Sequence, residues 1–272
     1  MCGFSIVGTS GLGYREPISM GKAFVLVHGM SHGAWCWDPL RERLEGRGHR
    51  VLAVDLPGHG RRAHEWRRAS VDAYAAAVAD AMALHGVHRA VVVGHSMAGI
   101  VIPKVAERVP SRVAHLVFLA AVVVPHGASL LETHLAPASR RLFRGLAAGR
   151  GGLVQYPAEV AHGRWMNDLP GGDPRLGAAL IRLTAQPLRP WTERVDLRRF
   201  YAMRVPRTYI RCLRDVAVPP ARAADYAARL GVRPIDLDSD HGPMLSHPDE
   251  LASLLESVAA GGTDGARPER GR

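Results

Sequence analysis

Residues 90–93, Ala-Val-Val-Val, run straight into Gly94-His95-Ser96-Met97-Ala98-Gly99, and a second apolar run begins at Ile100. A short apolar, β-branched run of this kind reads as a strand buried on both faces, and the residues beyond Gly99 read as a helix. Gly94 and Gly99, helped by Ala98, let strand turn into helix without Cβ clashes. A strand that feeds a helix in this way belongs to a parallel sheet covered by crossover helices. Ser96 then stands at the helix N-terminus in a strained, exposed conformation, which presents its hydroxyl for attack. G-x-S-x-G alone recurs by chance; the flanking strand and helix give it weight.

The rest of the chain keeps the same alternation. A strand is expected at 23–27, then a helix at 34–44 with Trp37, Leu40 and Leu44 at apolar spacing, then a strand at 51–54. That strand ends in Asp55-Leu56-Pro57-Gly58-His59-Gly60, whose proline and glycines enforce a turn. Ser70 is placed as N-cap of an alanine-rich helix running to His85. After the turn at Ser96 come a helix to about Arg108, strands at 116–124, 208–213 and 234–237, a helix at 221–230 and a last helix at 248–258. The prediction is an α/β fold with a mainly parallel sheet flanked by helices. Residues 125–205 break the rhythm with short helical stretches, glycines at 149, 151, 152, 171 and 172, and the large side chains Leu142, Phe143, Tyr156, Trp165 and Trp191. They are expected to form an inserted helical cap in which Trp165 contacts substrate. The core is assigned to 20–124 and 206–259. Residues 1–19, ahead of Met20, are expected to be an extension or start-site artefact outside the fold, and 260–272 a disordered tail without apolar anchors.

Composition removes several classes of function. A chain of 272 residues with 47% hydrophobic content can bury one large core. A net charge of +10 raises the question of nucleic acid, but of the 35 basic residues only Lys22 and Lys104 are lysines. The arginines are scattered among alanines and glycines and not clustered with aromatics, which fits a GC-rich coding bias and no nucleic-acid partner. Arg61, Arg62, Arg67 and Arg68, and the cap trio Arg140, Arg141 and Arg144, read as solvated surface. The alternative is recruitment of an acidic substrate or carrier. Cys2, Cys36 and Cys212 are too far apart for a disulfide framework or a zinc site, so no metal is expected and the cytoplasm is the default compartment. No apolar run reaches the ~18 residues of a membrane span, and residues 1–20 lack the basic start of a signal peptide, so no membrane partner is expected.

A serine nucleophile needs a base, and the base an orienting acid. His241, in Ser239-Asp240-His241-Gly242-Pro243-Met244, follows the last predicted strand, and Asp215, in Leu213-Arg214-Asp215-Val216-Ala217-Val218, follows the strand before it. Both sit at the carboxyl edge of the sheet with Ser96. His241 would take the Ser96 proton while Asp215 holds the imidazole tautomer. The loop Val27-His28-Gly29-Met30 leaves the first strand toward the same edge. Backbone N–H groups of Met30 and Met97 would hold an oxyanion, and Gly29 would keep the substrate's approach open. Other residues have plainer readings: His28 and His32 as structural hydrogen-bonders, His95 and His247 as packing, Cys36 and Cys212 as core. Asp240 is the minor alternative to Asp215.

The segments LVHGMSHGAWCW from Leu26, DLPGHG from Asp55, GHSMAG from Gly94, YIRCLRDVAVPP from Tyr209 and SDHGPMLSHP from Ser239 resemble the α/β-hydrolase superfamily. They are most similar to its branch of plant-type methylesterases and hydroxynitrile lyases and their bacterial relatives. The resemblance runs from about Lys22 to Ala259 and takes in Trp165-Met166-Asn167-Asp168 and Gln186-Pro187-Leu188-Arg189-Pro190. It implies the α/β-hydrolase fold with a cap, the triad Ser96, Asp215, His241, no cofactor, and hydrolysis of a small or medium, mostly apolar ester, such as the methyl ester of an aromatic or terpenoid metabolite. The resembling lyases carry threonine where this chain has Gly29 and lysine where it has Gly242, so cyanohydrin cleavage is disfavoured. Two alternatives stay open: a lyase, cyclase or carbon-carbon bond-forming enzyme using the same site, and a non-catalytic ligand receptor. The expected partner is a small-molecule substrate, and a homodimer is left open.

Overall fold

The computed structural model describes residues 21–261. The extension at 1–19, Cys2 and nearly all of the predicted tail lie outside that range.

Six parallel strands form one sheet: β1 (Ala23–Val27), β2 (Arg50–Val54), β3 (Ala90–His95), β4 (Val113–Leu119), β7 (Arg207–Cys212) and β8 (Pro234–Leu237). Their spatial order is β2-β1-β3-β4-β7-β8. Every residue of β3 is buried, as its unbroken apolar sequence requires of a central strand covered on both faces. The edge strand β2 is only partly buried. The chain winds outward from β1 to β2, then returns to lay β3 on the other side of β1. Loops leaving β1 and β3 at their carboxyl ends therefore diverge and open a crevice between them.

Helices α1 (Asp38–Gly46), α2 (Val71–Leu84), α3 (Ile102–Arg108), α10 (Pro220–Leu230) and α12 (Pro248–Ala259) flank the sheet, α1 packing on α12 and α2 on α3. Ser70 caps α2 as expected: its Oγ accepts the Ala73 N–H at 3.0 Å. The segment after the turn differs from expectation, with a 3-10 turn over Ser96–Ile100 before α3 begins. So does the strand predicted at 116–124, which starts at Val113 and leaves the sheet after Leu119. Ala120 takes a left-handed conformation, φ 45°, and residues 121–124 continue as buried irregular chain. Their apolar character comes from passing beneath the turn at Ser96, where the Val122 N–H donates to the Ser96 carbonyl at 3.0 Å. Gly99 permits that approach, because a Cβ there would lie 2.3 Å from the Val122 carbonyl oxygen. Burial alone does not tell a ladder strand from a buried loop.

Between β4 and β7 the chain makes six short helices: α4 (Leu130–His134), α5 (Pro137–Ala148), α6 (Ala158–Trp165), α7 (Pro174–Leu180), α8 (Arg189–Thr192) and α9 (Arg198–Ala202). A two-residue antiparallel pair, β5 (Leu153–Val154) with β6 (Gln186–Pro187), ties the segment to itself. Gln186 fastens it to the core: fully buried, its Oε1 accepts from His59 Nε2 at 3.0 Å and from the Ser31 N–H at 3.4 Å. Thr184 adds a backbone bond to the Ser31 carbonyl, 2.9 Å.

Candidate active site

Ser96 closes β3 with φ 53°, a left-handed conformation that strains any residue with a Cβ. The Val122 bond to its carbonyl holds it there, and its side chain is half-buried at the mouth of the crevice. His241 lies in the loop between β8 and the one-turn helix α11 (Pro243–Ser246), and Asp215 in the loop between β7 and α10. Three strand exits thus converge. His241 Nδ1 is 2.7 Å from Asp215 Oδ2, and its Nε2 is 2.9 Å from Ser96 Oγ. Asp215 and His241 are both buried.

The hydrogen bonds decide the tautomer. Asp215 Oδ1 accepts the N–H groups of Ala217 at 2.7 Å and Val218 at 2.8 Å, which aims Oδ2 at the imidazole. A carboxylate can only accept, so His241 carries its proton on Nδ1 and leaves Nε2 bare to accept from the Ser96 hydroxyl. Asp240, the alternative acid, points elsewhere: its oxygens accept from the Gly242 N–H at 3.1 Å, the Ser246 hydroxyl at 2.7 Å and the Asp168 N–H at 3.1 Å. Burial raises its pKa, and it braces the loop that carries His241.

Four histidines surround this chain of bonds. His95 Nε2 donates to the His241 carbonyl at 2.8 Å, with the two rings 4.6 Å apart. His28 accepts the Leu56 N–H at Nε2, 3.2 Å, and so donates through Nδ1 to the Gly29 carbonyl, 2.8 Å. His32 donates through Nδ1 to the Met30 carbonyl at 2.7 Å and stacks on Trp35. His59 holds Gln186. Burial lowers all four pKa values, His32 and His59 to about 4 and His28 and His95 well below their ordinary value. They shape the loops by hydrogen bonding while placing no positive charge beside His241. His247 occupies the N-cap position of α12 without a side-chain capping bond, and burial raises both described thiols, Cys36 and Cys212, so that they stay protonated.

The loop after β1 meets the turn at Ser96 closely. A Cβ on Gly29 would stand 2.9 Å from Ser96 Cβ and 2.9 Å from His95 Nδ1, so this glycine seats the loop against the serine and has no side-chain space of its own. The Met30 N–H makes no hydrogen bond among the described residues. The Met97 N–H lies in the first turn of a helical segment, where donors have no intrahelical acceptor. Two backbone N–H groups, one in the loop after β1 and one in the turn at Ser96, thus have no backbone acceptor among the described residues. Trp165 ends α6 with its ring edge-on to His32 at 5.5 Å and to Tyr156 at 5.6 Å. Its carbonyl abuts Gly242, where a Cβ would come within 2.7 Å of it. The segment thus meets the loop that carries His241 through the Trp165 carbonyl and through Asp168, whose carboxylate accepts the Asp240 N–H at 2.8 Å, and neither Gly29 nor Gly242 has room for a larger residue.

Sequence reasoning placed every member of this cluster at a strand exit but missed what holds it. Gln186 was only part of a resembling fragment, and the Val122 bond was invisible inside an apolar run. Arg141 and Arg144 are exposed, as expected of solvated surface, whereas Arg140 is half-buried and donates to the carbonyls of Leu135 at 2.7 Å and Glu132 at 2.6 Å at the end of α4. Asp168, Asp240 and His247 lie close enough together to suggest a cation site, but Arg214 already pairs with Asp168 at 2.9 Å.

The profile described as the Alpha/beta hydrolase family matches residues 24–254. This chain belongs to the α/β-hydrolase family. Among curated relatives of this family member, Methylesterase 7 of Arabidopsis thaliana is 29% identical over 258 residues, 88% of this chain and 96% of the relative. Methylesterase 10 of the same plant is 32% identical over 262 residues, 87% and 91% of the two chains. Among solved structures, an extracellular α/β-hydrolase from a Paenibacillus species superimposes with a TM-score of 0.79 at 25% identity, over 86% of this chain and 97% of that one. That protein is described as sharing structural and functional homology with tobacco salicylic acid binding protein 2. No described helix is long and apolar enough to cross a membrane.

Proposed function

We propose that this α/β-hydrolase is a carboxylic ester hydrolase acting on small or medium, mostly apolar esters, methyl esters among them, through an acyl-enzyme on Ser96. The unbroken chain Asp215–His241–Ser96, with bonds of 2.7 and 2.9 Å and one permitted tautomer, carries this reading. The names of the curated relatives support the methyl ester.

The steps follow from the atoms in place. His241 Nε2 takes the Ser96 proton as Oγ attacks the ester carbonyl, and Asp215 stabilises the imidazolium. The carbonyl oxygen becomes an oxyanion, received by the Met30 and Met97 N–H groups. The C–O bond to the alcohol breaks as His241 returns the proton to the departing alkoxide. A water, deprotonated by the same Nε2, then attacks the acyl carbonyl, and the acid leaves with Ser96 reprotonated. Cyanohydrin cleavage is opposed by the packing at positions 29 and 242, which denies a threonine and a lysine their space.

The test is hydrolysis of short p-nitrophenyl and methyl esters together with labelling by a fluorophosphonate probe. Both activities should be present in the native protein and absent in Ser96→Ala. Labelling without turnover of any ester would remove the esterase reading. Product formed at the native rate by Ser96→Ala would replace the acyl-enzyme with a general-base or templating role for the site.

A further inference from the structure

A cleft of about 450 Å³ runs beneath the cap between α5, α6 and the loop that follows Asp215. Its size is that of a small-molecule pocket. Its walls are more apolar than polar, and several of the apolar side chains face solvent: Leu142 is 66% exposed, Val216 52% and Val160 38%. Large apolar side chains left open around a cleft mark a place where something apolar binds. Two guanidinium groups, Arg164 from α6 and Arg222 from α10, also line it, and no carboxylate does. Arg222 uses one nitrogen on the His134 carbonyl, and Arg164 is half-buried in the wall.

This cleft borders the catalytic loops. Val216 and Ala217 of its wall directly follow Asp215, and the Ala217 N–H is one of the two that orient that carboxylate. Tyr156, also in the wall, meets Trp165, whose carbonyl lies on Gly242 beside His241. His134 is within electrostatic reach of His241 as well as of Arg222 and Arg164; burial first, then those charges, lowers its pKa to about 3. It stays neutral, so the positive charge in the cleft is that of the arginines.

We infer that the cleft receives the apolar body of an ester substrate bearing a second, anionic group, and that Arg164 and Arg222 select for that group. This rests on the esterase reading of Ser96. It replaces Arg140, Arg141 and Arg144 as the source of any acidic preference, because Arg140 is spent on α4 and neither Arg141 nor Arg144 lines the cleft.

Monomethyl suberate and dimethyl suberate share one chain length and differ by a free carboxylate, so they make a matched pair of probes. Binding to Ser96→Ala, measured by calorimetry at low salt, should favour the monomethyl ester by about tenfold, as a charge-assisted contact at a partly open site gives. Arg164→Gln in the same background should bring the two affinities together, and Arg164→Lys should restore part of the gap. In the intact protein the preference should appear as a ratio of kcat/KM carried mainly by KM. Equal affinity for the two probes, or equal weakening of both by Arg164→Gln, would overturn the assignment. Tight, Arg164-dependent binding of monomethyl suberate that the intact protein does not hydrolyse would leave the anion pocket standing and refute the ester-hydrolase reading beneath it.

Discussion

Asp215→Asn separates the acid's structural duty from its proposed catalytic one. In the native protein two backbone N–H groups, from Ala217 and Val218, donate to Oδ1, and only Oδ2 faces His241. In the amide the single oxygen is claimed by those two donors, so the NH2 group turns toward the imidazole. His241 Nδ1 must then accept, its proton moves to Nε2, and Nε2 donates to Ser96 Oγ where before it accepted. The base is lost although no atom need move. Loss of the correct tautomer in a Ser-His-Asp site costs about 10⁴ in kcat, which corresponds to about 5.5 kcal/mol of barrier. The loop bonds survive, so thermal melting of Asp215→Asn should stay near that of the native protein. Asp215→Ala strands both buried N–H groups at about 1–3 kcal/mol each and should melt several degrees lower. The assay is kcat on a p-nitrophenyl ester beside a melting curve for each variant. A loss below tenfold in Asp215→Asn, with melting unchanged, would refute the tautomer argument.

Further outcomes follow from the same geometry. Ser96→Gly and Ser96→Ala both lack the hydroxyl, but only glycine is at ease at φ 53°, so the glycine variant should unfold with about 1 kcal/mol more stability by urea titration; equal midpoints would mean the turn is unstrained. His32 and His59 have folded-state pKa values of about 4 against 6.5 when unfolded, so their contribution is complete above pH 6.5 and lost as pH falls toward 4. Each is worth about 3 kcal/mol at full loss, and unfolding at pH 5 should take up about one proton per buried neutral histidine; a melting temperature that is flat from pH 7 to 5 would contradict this. Gly242→Lys should lower stability by about 1–3 kcal/mol through the Trp165 carbonyl and confer no cyanohydrin cleavage; a stable variant that releases cyanide would show that the cap yields at this point.

The parts legible in the sequence are those where backbone geometry leaves a local mark. The apolar run 90–93 announces a central strand because both faces are covered, and Ser70 announces a helix start because its oxygen satisfies a free donor. Ser96, Asp215 and His241 could be placed at one sheet edge because each follows a strand-like run. The end of β4 could not be placed, since residues 121–124 are as buried as the strand itself and differ only in their hydrogen-bond partners. Gln186 gave no signal either: its role depends on His59 and Ser31, 127 and 155 residues away. Arg164 and Arg222 stand far apart in the chain and share a wall only once the cap is folded over the loop after Asp215.

The segment holding the six short helices leaves the sheet from β4 and returns as β7, and these two strands are neighbours, with Leu119 paired to Ile210. Because the strands are parallel, the segment leaves at Leu119 and returns at Arg207, which pairs with Leu116, so its ends are held about 11 Å apart by strand rise and spacing, whatever lies between them. Closing a loop across such a fixed gap depends only logarithmically on the loop's length. Insertions or deletions within the segment would leave the strand register where it is, provided that they spare Val122 and Asp168, which hold the loops carrying Ser96 and His241, and Gln186, which holds the loops after β1 and β2. The length of the segment is thus free to vary while the few contacts that reach the sheet edge are not.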